Sequence, residues 1–270
     1  GMNRMIFKHE LQTRIRSILT WGLSITALVF VLFTYFSVFA KEAELMQALL
    51  AKFPKELLIA FGMEHINYST PLGYLAFFFL FIQLCLAIQA CNFGVGLVSI
   101  EETELTADFL LTKPVSRMEI LSSKVGAALA SLVLTDAIVW VSVFFALTIY
   151  GEGKPYDPRT LVLLLASLLF MQFFFFGVGL MISLLVKRVR SVTPYSLALA
   201  FGAYVLNAFS GVFGDVKLEY ITPFKHFEPG YIVDHAAYNT PLLVFNVTIT
   251  LLSLAASYWL YLHRDISAVS

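Results

Sequence analysis

The chain is 270 residues long, 59% hydrophobic and 15% aromatic, with 13% charged residues and a mean hydropathy of +0.81. Soluble domains carry about a quarter charged residues, so composition alone excludes a soluble fold. Eighteen Lys and Arg balance eighteen Asp and Glu, which leaves no basic footprint for nucleic acid.

Residues 3–16 carry Arg4, Lys8, Arg14 and Arg16 with Met5, Ile6 and Leu11 between them. That is the pattern of a basic amphipathic helix lying on an anionic membrane surface. The uncharged run 17–40 has 24 residues, where about 20 cross the hydrocarbon, and predicts the first transmembrane span. Between 41 and 70, Leu45, Leu49, Phe53, Leu57 and Phe61 recur at helical spacing with Pro54 in their midst, predicting two short helices at the outer interface. The second span lies within 72–98. Its Cys85 and Cys91 fall on different helix faces and read as small buried hydrophobes rather than a disulfide or metal pair.

Residues 101–124 are different. Eight charges, Glu101, Glu102, Glu104, Asp108, Lys113, Arg117, Glu119 and Lys124, stand between two long apolar runs. Each Asp, Lys or Arg costs about 2.5–3.5 kcal/mol at a bilayer centre, so the segment is expected in water. The acids fall in the first turns of a helix predicted over 101–111, where the dipole favours them. Leu105, Phe109 and Thr112 share one side, and Glu101, Glu104 and Asp108 a neighbouring strip. Pro114 ends this helix, and Ser116 with Glu119 reads as a capping box that starts the next.

The remaining spans follow as 125–150, 161–186, 192–213 and 242–262, with Lys187, Arg188 and Arg190 linking the fourth to the fifth and a second polar segment over 215–240. The fold expected is an all-α polytopic membrane protein of six transmembrane helices in one domain, with an N-terminal interfacial helix. Six spans put both termini on one side. With the N-terminus inside, Lys and Arg number eleven inside against seven outside, and arginine alone divides seven to one. The positive-inside rule therefore gives N-in, C-in and places 101–124 in the cytoplasm.

The string Phe109-Leu110-Leu111-Thr112-Lys113-Pro114-Val115-Ser116-Arg117, preceded by Glu101, Glu102 and Thr106, resembles the signature "E-…-G-T-x-x-x-L-L-x-x-P-[VI]-S-R" of the type-2 permeases of ATP-binding-cassette (ABC) exporters. Leu105 stands where that pattern has glycine. Residues 53–62 and the string from Thr222 to Pro229 resemble other parts of the same family more weakly, as does Arg264-Asp265 at the chain's end. The resemblance implies a dimer of six-helix permeases, either two copies or a copy with a paralogue, in a bacterial plasma membrane. A cytosolic ABC ATPase would bind ATP and Mg and dock under a cytoplasmic coupling helix. The residues it assigns to that coupling are Glu101, Glu102, Glu104, Leu105, Thr106, Asp108, Phe109, Leu110, Leu111, Pro114, Ser116 and Arg117.

The chain has no G-x-x-x-x-G-K-[ST] loop, so ATP chemistry is expected in a separate subunit and no cofactor in this one. His9-Glu10 is followed by Arg14 rather than a second histidine, which fails the zinc-protease pattern, and no G-x-S-x-G elbow occurs. Asp136, about midway along the third span, is the ionisable residue at depth. It lines a substrate pathway with Asn207, or pairs across a subunit interface, or is a protonated acid bonded to a neighbouring helix. A rival reading makes the chain a six-span enzyme or proton-coupled carrier built on Asp136. Gln83, Gln89, Gln172, Asn207 and Asn246 read as interhelical hydrogen-bond partners, and Gly177, Gly179, Gly202, Gly211 and Gly214 as sites of close helix approach.

Overall fold

Long apolar runs can satisfy their backbone away from water only by hydrogen-bonding it within helices. The computed structural model describes residues 2–61, 63, 66–103, 116–186, 189–213 and 216–264, and contains no strand among them. Six helical stretches among the described residues are long and apolar enough to cross a membrane.

In chain order, α1 is Arg4–Thr13. The first span comprises α2, Ile15–Thr34, and α3, Phe36–Lys41. Two short helices follow, α4 at Ala43–Leu50 and α5 at Lys55–Ala60, with Pro54 at the N-cap of the second as the sequence predicts. The next three spans are α6, Pro71–Thr103, α7, Arg117–Tyr150, and α8, Pro158–Leu185. The fifth is α9, Val192–Phe213. Three short helices, α10 at Val216–Ile221, α11 at Pro223–His226 and α12 at Pro229–His235, lead to the sixth, α13, Thr240–Leu262.

The boundaries differ from the sequence reading around the charged segment. The second-span helix α6 runs on to Thr103, so the backbone of Glu101 and Glu102 closes that helix instead of opening a new one. Likewise α7 starts at Arg117, not at 125, and carries Lys124 into the packed bundle.

The bundle is built around α6 and α8. Of their spans 78% and 61% is buried, against 22% for the first span and 28% each for α9 and α13. The two run in the same direction and lie in close contact, with α9 against α6, α13 against α8, and α2 against α7. Their crossing is tightest at Gly94, where a Cβ would stand 2.3 Å from the Phe176 carbonyl oxygen. Gly179, Gly177 and Gly211 also sit at contacts between helices, as expected, but nothing lies within 4 Å of a Cβ placed at Gly202. Its face of α9 is exposed.

The largest departure concerns the second polar segment. It reaches deep into the bundle, with Thr222, Phe224, His226 and Phe227 buried. Gln83 Nε2 donates to the Phe227 carbonyl at 2.9 Å, and Thr222 Oγ1 to the Ala203 carbonyl at 2.7 Å. Gln83 is twelve residues into α6, roughly 18 Å along it at 1.5 Å per residue. Irregular backbone at such depth is tolerated because protein surrounds it and side chains from the spans complete its hydrogen bonds. His226 belongs to this wedge. Its Nε2 donates to the Tyr220 carbonyl at 3.1 Å, which leaves Nδ1 to accept from Asn246 Nδ2 at 3.1 Å. Burial pushes its pKa down to about 4, so the ring is neutral near pH 7.

Candidate functional site

The segment singled out in the sequence is framed by the last turn of α6 and the first turn of α7. Glu104, Leu105, Thr106, Asp108, Phe109, Leu110, Leu111 and Pro114 lie outside the described residues. Its two roots are Thr103, the last residue of α6, and Ser116. Ser116 is the N-cap of α7, its hydroxyl accepting from the Glu119 N–H at 3.1 Å, which is the capping bond expected from the spacing.

Arg117 turns toward the other end of the chain. Its guanidinium donates to the carbonyls of Tyr261, at 3.4 Å, and Arg264, at 2.5 Å, placing a cation on the C-terminal end of α13 where the helix dipole favours one. Tyr258 Oη donates to Ser122 Oγ at 3.1 Å, a second tie between the same helices. Arg117 is thus a positioning residue for the root of α7.

Lys124 was expected in water, yet its side chain is only 3% exposed. Its Nζ lies 3.1 Å from Glu10 Oε1 and donates to the Leu97 carbonyl at 3.0 Å, so one ammonium joins α1, α6 and α7. The charge can be buried because a carboxylate and a helix carbonyl replace its water. Glu10 also pairs with Arg14 at 2.9 Å, and Arg14 in turn lies over the Phe93 ring of α6, 5.3 Å from its centre. Burial opposes the charge on Glu10, but Lys124 and then Arg14 more than offset it and hold its carboxyl below the usual range.

This arrangement also revises the reading of the N-terminal helix. Arg4 and Lys8 are exposed as a membrane-surface helix requires, but Ile6, Phe7, Glu10 and Leu11 face inward and α1 packs along α7. The Asn3 N–H donates to Ser123 Oγ at 2.6 Å, and Met2 and Phe7 lie against Gly126. Sequence reasoning missed the Glu10–Lys124 pair. Its signal was there: Glu10 is the single acid in the first forty residues, and Lys124 is the last charge before a long apolar run.

The two residues assigned to a substrate pathway are not brought together. Asp136 is 3% exposed, enclosed where α6, α7 and α8 meet, with Gln172 beside it. Asn207 is half-buried and lines a small pocket with Ile59, Phe61, Phe224, Lys225 and Glu228, near the opposite end of the bundle from α1. Of the polar residues read as helix-joining, Gln83, Gln89 and Asn246 each donate a hydrogen bond to another element, while Gln172 of α8 stands beside Asp136 of α7. Cys85 and Cys91 are free thiols, half-buried and buried. Among the described residues no group of His, Cys, Asp or Glu could hold a metal ion in the manner of a zinc site.

The family model described as ABC-2 family transporter protein matches residues 4–266. No curated protein and no solved structure matches the chain.

Proposed function

The chain belongs to the ABC-2 family of transporter proteins, and from that membership we propose that it couples ATP hydrolysis by a separate cytosolic subunit to export of a substrate. Its established part is that of a multi-pass membrane transport component, with six helices fit to cross a membrane. The finer reading makes residues 101–117 the docking site of the ATPase, in a dimer with a second copy or a paralogue, in a bacterial plasma membrane with both termini in the cytoplasm.

The observation that carries the docking site is the hub at the root of α7. Within one turn or two of Ser116, the helix is tied to α13 through Arg117, to α1 through Ser123 and Lys124, and to α6 through Lys124. A push on the segment between α6 and α7 therefore acts on four helices at once, because packed helices move as rigid bodies and their joints are the points that must give. In this reading Leu105, Phe109 and Leu110 fill an apolar cleft on the ATPase. Glu101, Glu102, Glu104 and Asp108 meet basic groups around it, while Thr106, Leu111 and Pro114 shape the break that passes the motion into α7. Asp136 is enclosed by three helices, which speaks against an enzyme or carrier that must bring substrate to it.

The test is purification of the detergent-solubilised chain from its native membrane with whatever binds it. A soluble subunit with a phosphate-binding loop is expected to co-purify, and Phe109→Ala with Leu110→Ala is expected to lower its recovery and its substrate-stimulated ATPase activity by at least tenfold. Unchanged recovery and stimulation in the double variant would overturn this docking site.

A further inference from the structure

Nine buried side-chain nitrogen and oxygen atoms have no hydrogen-bond partner within 3.5 Å among the described residues, and five of them belong to Gln89, Asp136 and Gln172, the last two of which are neighbours. A buried polar atom left unpaired is destabilising, so a cluster of five calls for a physical cause.

The three residues stand at one height. Gln89 Nε2 donates to Thr135 Oγ1 at 3.0 Å, which sets residue 89 of α6 level with residues 135 and 136 of α7. Gly94 lies against Phe176 and Leu180 while Gly179 lies against Cys91 and Val95, and this parallel register brings Gln172 of α8 level with Gln89. Gln89 and Gln172 are fully buried and Asp136 is 3% exposed, so all three are shielded from bulk solvent.

The donor set is specific. It offers both carboxylate oxygens of Asp136, the amide oxygens of Gln89 and Gln172, and the remaining lone pair of Thr135 Oγ1, with no imidazole or thiolate among them. Oxygen-only ligands suit hard cations. One carboxylate balances one positive charge, whereas a divalent ion would leave an uncompensated charge in a low-dielectric interior. A proton on Asp136 would serve Asp136 and Gln172 but leave the Gln89 oxygen on α6 without a partner. We propose that Asp136, Gln89, Gln172 and Thr135 form a buried site for one small monovalent cation of sodium type, which fastens α6, α7 and α8 together at the middle of the bundle.

The site is independent of the ATPase, and so is its test. The melting temperature of the purified full chain in detergent is measured in sodium, lithium, potassium and choline chloride at equal ionic strength, at pH 6, 7.5 and 9. Sodium or lithium is expected to raise it saturably by ~5–10 °C over choline, the shift of a ligand at about 100 times its Kd. In Asp136→Asn that rise is expected to vanish. Gln172→Leu and Thr135→Val keep the carboxylate and are expected to weaken the response at least tenfold in sodium concentration, so the test survives if Asp136→Asn does not fold. No difference between sodium and choline, a stability that follows pH alone, or a sodium response unchanged in the folded variants would each overturn the site.

Discussion

Lys124 carries the clearest energetic statement in the molecule. Its charge is buried and its principal counter-charge, Glu10, lies 114 positions earlier in the chain, brought to it by the packing of α1 on α7. Removing one member of a buried pair leaves the other charged and poorly solvated, which costs more than the pair is worth. Glu10→Gln is therefore expected to destabilise the chain by about 2–3 kcal/mol, and adding Lys124→Met to recover at least half of that, giving a coupling of roughly 1–3 kcal/mol in a double-mutant cycle. The pH dependence follows from the lowered Glu10 pKa. Stability from this group is fully present above the ordinary carboxylate value of 4.5 and is lost as pH falls through the depressed folded value. Glu10→Gln is expected to remove that part of the acid dependence, read as melting temperature between pH 5 and 3. Equal acid profiles for the two proteins would show the ion pair to be energetically idle.

At the scale of elements, the contact between α6 and α8 decides how the bundle closes. Both helices are buried on most of their circumference, so neither shows a strong sided pattern in sequence, and their mutual orientation rests on small residues at the crossing. Gly94 allows the backbones to meet, and any side chain there strikes the Phe176 carbonyl and the Leu180 amide. Gly94→Val is expected to cost about 1–3 kcal/mol through forced separation of the two helices, measured as lost folded protein and lowered melting temperature in detergent. Gly202→Ala, at a face of α9 with open space beside it, serves as the control and is expected to leave the chain's own stability within about 0.5 kcal/mol. The wedge formed by α11 and the start of α12 is the other element that sequence periodicity hides. Its Pro-Phe-Lys-His-Phe composition mixes charges and rings like a surface loop. Phe227 nevertheless stacks on Phe170 and meets Tyr238 edge-on, while Lys225 stays with Glu228 at 3.0 Å.

For the whole molecule, the ties from α1 to α7 and from Arg117 to the end of α13 put Asn3, Arg264 and the start of α7 at one end of the bundle. That agrees with an even number of spans. Which end faces the cytoplasm follows from the arginine bias, and accessibility to a membrane-impermeant maleimide in intact cells checks it. Glu152→Cys, in the exposed turn between α7 and α8, is expected to be labelled, and Lys8→Cys and His263→Cys to be labelled only after permeabilisation. The reverse pattern would invert the proposed orientation and move the ATPase docking site to the wrong face.

The sequence by itself determined the class, the six spans, the short interfacial helices about Pro54 and the Ser116 cap, because hydropathy, helix length and capping are local properties of the chain. It also determined the family resemblance, carried by the string ending in Ser116 and Arg117. Only the tertiary structure decided where the polar minority goes. Lys124, read as a water-facing charge, is buried because Glu10 comes to it from a helix far away in sequence. Segment 222–228, part of the second polar segment in the sequence, enters the bundle because Gln83, Ala203 and Asn246 lie on three different spans that supply its partners. Asp136 and Asn207, grouped by composition, part company because they sit on helices that bring them to different places. A buried polar group is stable only with its partner, and the identity of that partner is a fact of packing, which periodicity along one strand of sequence does not contain.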